Sequence, residues 1–272
     1  MSAETASVLE VSGLSIARRR GAGIVEGVDL SVRRGECVGL VGESGSGKSL
    51  TLRAIMALLP DGVEATGGEV RVDGLPMPRS GAAARSSRRG RLSMVFQDPA
   101  AALDPLRRVG AQVAAVRRHV RGRSARAARE DALGLLADVR LPDPAAAYER
   151  YPHELSGGQR QRVMIAVALA SEPEFLLCDE PTTALDVTVQ AEILALLDDI
   201  RRSRSVGVLF VSHDLPVVST VSSRLVVMRR GVVVEAGDTI DVLGAPRDPY
   251  TRGLVRAAAE LSADSPAGGS GS

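Results

Sequence analysis

Three short, nearly continuous apolar runs stand out along the chain, in "ECVGLVG" (36–42), "EFLLCDEP" (174–181) and "VLFVSHD" (208–214). Each has the length and bounding residues of a buried strand. The glycines after the first run are followed by "KSLTLRAIMALLP", whose spacing suits a helix, so strand, loop and helix come in series. A second amphipathic helix is predicted to begin in "YPHELSGGQRQRVMIAVALA" (151–170). Between them, residues 98–154 are rich in Ala, Arg and Leu and read as helices with charged, mostly solvated faces. The pattern is that of an α/β protein with one large domain carrying a smaller one.

Composition narrows this picture. A chain of 272 residues can bury a substantial core. Its formal charge of +1, with 25% charged and 44% hydrophobic residues, gives no electrostatic case for nucleic acid as a partner. No stretch approaches the ~20 apolar residues of a membrane-spanning helix. "MSAETASVLEVSGLS" does not read as a secretory signal. Cys37 and Cys178 lie in apolar runs without metal-ligand spacing and are expected to be reduced core residues. Residues 1–7 and the Ser/Gly/Pro-rich 258–272 are expected to be disordered, leaving 8–257 as the folded chain.

The chemistry begins at the chain's only lysine, Lys48. Gly42, Glu43, Ser44, Gly45, Ser46, Gly47, Lys48 and Ser49 fit G-x-x-x-x-G-K-[ST], a phosphate-binding loop placed, as it must be, between a strand and a helix. Glycines let successive N–H groups point at phosphate oxygens, and the helix adds its positive end. Lysine delivers a compact charge on a slender stem where the wide fork of arginine would crowd the loop. Ser49 is expected to hold Mg²⁺ through its hydroxyl. The second apolar run ends in two acids, Asp179, placed to organise Mg²⁺, and Glu180, placed as the general base for an attacking water. These motifs specify a nucleotide hydrolase without saying which kind.

The stretch Leu155, Ser156, Gly157, Gly158, Gln159 ("LSGGQ") decides the kind, because it is a second phosphate-recognising device in a chain that already has one. With it the sequence resembles the ATP-binding subunits of ABC transporters, from about Val8 to Val255. The resemblance implies a P-loop fold with a RecA-like core, an antiparallel β subdomain and a helical subdomain at about 98–165. It implies ATP and Mg²⁺ as ligands, and a signature that completes the ATP site of a facing ATPase subunit. By the same resemblance Gln97 in "MVFQDP" touches Mg²⁺ or the attacking water, Asp186 in "TTALD" crosses the dimer interface, and His213 contacts the γ-phosphate. An aromatic residue usually stacks on adenine near the N-terminus of such chains; here "ARRR" occupies that place, with Arg18 the nearest match. His119 and His153 are expected to make local contacts.

"FQDPAAALDP", "LPDPAAAYERYPHELSGG", "DEPTTALDVTVQAEIL" and "APRDPYTRGLV" further resemble the dipeptide, oligopeptide and nickel importer group, specifically its D-type ATPase. That implies a second ATPase subunit in a homo- or heterodimer, two transmembrane permease subunits, indirectly a solute-binding protein, and a peripheral position on the cytoplasmic face of the membrane. The residues alone also admit a soluble ABC ATPase acting in assembly or repair, and, against the signature and His213, a P-loop kinase.

Overall fold

The computed structural model describes residues 7–183 and 185–263. The chain opens with two long antiparallel strands, β1 (Val8–Arg18) and β2 (Gly23–Arg33), before the short central strand β3 (Cys37–Val41). Helix α1 (Lys48–Ile55) follows the phosphate loop, and β4 (Val63–Val72), β5 (Leu75–Pro76) and α2 (Gly81–Arg88) lead to β6 (Leu92–Val95). Helices α3 (Pro99–Ala102), α4 (Val109–Arg121), α5 (Ala125–Asp138) and α6 (Pro144–Glu149), a 3₁₀ turn (Pro152–Glu154) and α7 (Gly157–Leu169) come next. The chain then re-enters the sheet as β7 (Phe175–Asp179), passes through α8 (Val187–Arg204) and returns as β8 (Gly207–Ser212). It finishes with α9 (Leu215–Val221), β9 (Arg224–Arg229), β10 (Val232–Asp238), α10 (Thr239–Gly244) and α11 (Pro249–Ala263).

Two sheets result. A four-stranded antiparallel sheet has the order β2-β1-β4-β5, and a six-stranded sheet has the order β10-β9-β3-β8-β7-β6. The larger one is parallel except for β10, which pairs antiparallel with β9. Every residue of β3, β7 and β8 is buried, which explains why these strands read as unbroken apolar runs: both faces of the sheet are covered. Val38 and Leu40, Phe175 and Leu177, Leu209 and Val211 share one core with α1 and the antiparallel sheet. Cys37 and Val41, Leu176 and Cys178, Val208 and Phe210 share the other with α7, α8 and α9. The period-two alternation of strand side chains divides each run between the two cores.

Between β6 and β7, helices α4, α5 and α6 pack on one another, while α7 contacts α4, α5 and the edge strand β6. The arginines of this segment are not all solvated. Arg117, 13% exposed at its side chain, joins Asp131 at 3.0 Å and Glu172 at 2.6 Å, tying α4 to α5 and to the turn before β7. A paired guanidinium can be buried where an unpaired one cannot.

The folded chain is longer than expected at both ends. Ser7 Oγ donates to Glu174 Oε2 at 2.9 Å, so the order begins one residue earlier. Helix α11 continues through 258–263, past residue 257, because "RAAAELSA" consists mostly of strong helix formers. The rest of both expected disordered segments, 1–6 and 264–272, lies outside the described residues. Among the described residues no helix is long and apolar enough to cross a membrane.

Candidate functional site

In the six-stranded sheet the neighbours β3, β8, β7 and β6 run parallel, so their C-terminal ends share one edge. Each ends in a candidate residue: the phosphate loop after β3, His213 after β8, Asp179 and Glu180 at β7, Gln97 after β6. Open parallel sheets bind ligands at this edge. A cavity of about 430 Å³ there is lined by Ser44, Gly45, Gly47, Lys48, Ser49, Gln97, Glu180 and His213, together with Ile24, Leu50 and Thr183.

Two glycines shape the loop. Gly42 has φ +153 and a Cβ there would lie 2.1 Å from the Met228 carbonyl; Gly47 has φ +101, with Val25 2.7 Å from its would-be Cβ. A side chain is excluded at both by space and by backbone conformation. Lys48 begins α1 and is 4% exposed. Its Nζ donates to the carbonyls of Gly42 at 2.7 Å and Glu43 at 2.9 Å. Burial lowers the Lys48 pKa, against the pull of Glu180 and Asp179, so the ammonium sits where added negative charge is favourable. Ser46 is buried, its hydroxyl without a protein partner among the described residues.

Ser49 Oγ donates to Asp179 Oδ1 at 2.7 Å. Asp179 is 2% exposed, and burial raises its pKa against the Ser49 hydrogen bond and nearby Arg53. A carboxylate desolvated in this way favours a cation beside it. The described residues contain no cluster of three or more His, Cys, Asp or Glu side chains able to hold a metal. The oxygens of Ser49 and Asp179 instead suit Mg²⁺, a hard cation commonly shared between one or two protein oxygens and substrate phosphates.

Glu180 has φ +46, in the left-handed region that non-glycine residues rarely occupy. Its N–H donates to the Val211 carbonyl at 3.0 Å, which fixes the turn at the end of β7. The carboxylate accepts from Gln97 Nε2 at 3.1 Å and Thr183 Oγ1 at 2.9 Å, and His213 Nδ1 lies 3.2 Å from its other oxygen. Side chains from the ends of three strands, β6, β7 and β8, thus converge on one carboxyl group. Thr183 is not among the residues the motifs single out; the only signal for it is its place three residues after Glu180 in "EPTT", within reach of a turn.

The signature lies elsewhere. None of Leu155, Ser156, Gly157, Gly158 and Gln159 lines the cavity at Lys48. Ser156 caps α7: its Oγ accepts from the Gln159 N–H at 3.3 Å and its own N–H donates to Gln159 Oε1 at 3.1 Å. The residue is exposed, as is Asp186, which caps α8 by accepting from the Val189 N–H at 3.0 Å. A Cβ on Gly158 would come within 2.7 Å of Val189, so glycine lets the two helix starts approach. A further cavity of about 820 Å³ shares Ile24 and Gly45 with the phosphate cavity and is lined by Arg18, Arg19, Arg20 and Arg230, with no aromatic residue. His119 Nδ1 lies 2.7 Å from the Ala115 carbonyl and His153 stacks on Tyr151 at 5.6 Å, both local contacts.

A lysine-bearing loop between a parallel strand and a helix, with an acid pair at the end of β7, the next strand but one in the sheet, defines a P-loop nucleotide-binding protein of the ATP-hydrolysing kind. The family profile "ABC transporter" matches residues 25–183, and the chain belongs to that family. It is 48% identical over 235 residues to "Probable D,D-dipeptide transport ATP-binding protein DdpD" of Escherichia coli (strain K12), covering 86% of this chain and 72% of that protein. It is 42% identical over 274 residues to "Glutathione import ATP-binding protein GsiA" of Salmonella typhimurium, covering 96% of this chain but 43% of that longer protein. Among solved structures, the dimeric post-hydrolysis state of the ATP-binding cassette MJ0796 bound to ADP and Pi aligns with a TM-score of 0.75 at 30% identity, covering 85% of this chain and 98% of the other.

Proposed function

We propose that this chain is the ATP-hydrolysing subunit of an importer, working as a dimer with a second ATPase subunit on the cytoplasmic face of a membrane and driving two permease subunits. The observation that carries the hydrolytic part is Glu180, held over the phosphate cavity by Gln97, Thr183 and His213. Lys48 and the loop N–H groups grip the β- and γ-phosphates. Ser49 and Asp179 would hold Mg²⁺, whose charge offsets that of the phosphates. Glu180 takes a proton from the attacking water as its oxygen adds to the γ-phosphorus and the bond from that phosphorus to the β,γ-bridging oxygen breaks, so that ADP leaves with the electron pair and phosphate is formed; His213 and Gln97 orient the reacting groups. The base and ribose extend from the phosphate cavity into the adjoining arginine-lined one, where the plane of Arg18 replaces an aromatic face.

The signature's absence from the Lys48 cavity supports the dimer: the exposed Ser156 and the half-buried glycines after it, at a helix start, serve the nucleotide of the partner. A short peptide is the cargo class best supported, because the relatives named above are a dipeptide transport and a glutathione import protein. In the assembled transporter, Glu180→Gln should keep Mg-ATP binding and cut turnover by about 10²-fold or more. Undiminished hydrolysis by that variant would remove Glu180 from its role.

A further inference from the structure

Glu43, the second residue of the phosphate loop, donates its backbone N–H to a side chain 207 positions away, the hydroxyl of Tyr250, at 2.8 Å. Tyr250 lies in the first turn of α11, within the "DPYTRGLV" ending that the nucleotide chemistry leaves unused. Its place is fixed from several sides. Glu235 on β10 accepts from the N–H groups of Arg247 at 2.8 Å and Asp248 at 3.1 Å, and Asp248 Oδ1 accepts from the Tyr250 N–H at 2.8 Å. The Arg229 guanidinium, at the end of β9, stands over the phenol ring 4.9 Å from its centroid. Because β9 pairs with β3, this arginine and the phosphate loop leave adjacent strand ends.

Glu43 is also engaged on its other side, where its carbonyl accepts from Lys48 Nζ at 2.9 Å. One loop residue is thus held at its N–H by the last helix and at its C=O by the phosphate-binding lysine. The loop carries glycine at 42, 45 and 47 and has little stiffness of its own. Freedom removed before binding is freedom that the ligand need not remove. We propose that Tyr250 is a positioning residue for nucleotide binding, its hydroxyl pinning Glu43 and thereby the carbonyl that aims Lys48. Helix α11 also packs on α9, which starts two residues after His213. Burial raises the Tyr250 pKa against the opposing Glu43 N–H, which keeps the acceptor a neutral phenol at neutral pH.

The inference rests on the nucleotide-binding reading above, and the test separates the two. Full-length wild type, Tyr250→Phe, Tyr250→Ala and Lys48→Ala are compared by amide hydrogen exchange across the phosphate loop, by Mg-ATP titration and by thermal melting. Tyr250→Phe keeps the ring over Arg229 and deletes only the acceptor. It should speed exchange at Glu43 and weaken Mg-ATP by about 2- to 10-fold, the scale of one hydrogen bond, with an unchanged melt. Unchanged exchange or unchanged affinity overturns the proposal while Lys48→Ala still abolishes binding. A loss of affinity that comes only with a melting drop as large as that of Tyr250→Ala also overturns it, since ring packing would then be the cause. Normal ATP binding by Lys48→Ala would instead remove the nucleotide reading, and the proposal with it.

Discussion

Replacing Lys48 by arginine keeps the charge and changes only its shape, so it isolates the geometric argument for the chain's single lysine. Lys48 is 4% exposed and its ammonium lies on the wall of the cavity, between the Gly42 and Glu43 carbonyls at 2.7 and 2.9 Å. A planar guanidinium cannot direct one compact donor cluster at two carbonyls and at phosphate oxygens together. Overpacking of a tight site costs about 1–3 kcal/mol, which corresponds to about a 5- to 140-fold loss of Mg-ATP affinity. Calorimetric titration of the full-length protein measures it, with a melting curve to confirm that the variant is folded. Wild-type affinity and turnover in Lys48→Arg would refute the reasoning, since charge alone would then suffice.

Two further outcomes follow from the same structure. Burial pushes the Cys37 thiol up to about 12 and Cys178 well above its usual range, so in the native protein neither should react with a thiol reagent at pH 8, and both should after unfolding; rapid native labelling counted by mass spectrometry would contradict this. Arg18→Ala should weaken ATP by about 2- to 5-fold, the scale of an exposed guanidinium stacking on a base, while leaving tripolyphosphate binding unchanged; an equal effect on both ligands would place Arg18 at the phosphates instead.

The parts of the fold that can be read from sequence are those with local causes. Buried parallel strands carry continuous apolar runs, and the phosphate loop needs its glycines and lysine within eight consecutive residues, so β3, β7, β8 and the cavity between them are legible. The antiparallel sheet is not, except through resemblance. Its strand β1 pairs with β4, Leu9 opposite Val72, and register shifts break the alternation that would otherwise betray both strands. Likewise Arg117 looks like one more solvated arginine until Asp131 and Glu172 meet it in space. Tyr250 gives no local sign of its contact with Glu43, because 207 residues separate them. The C-terminal end of the fold escapes for a different reason: the Ser/Gly/Pro-rich tail colours the whole of 258–272, whereas its first residues carry the helix propensity of α11.

The central claim is that this chain holds nucleotide at Lys48 and offers its signature to a partner's nucleotide. Ser156→Arg tests it most directly, with a photo-crosslinking ATP analogue read separately on the two ATPase subunits of the assembled transporter. Nucleotide at this chain's own phosphate loop should persist while the partner's site loses closure over the γ-phosphate and its hydrolysis collapses. Loss of labelling at Lys48's own loop with the partner's site intact would contradict it.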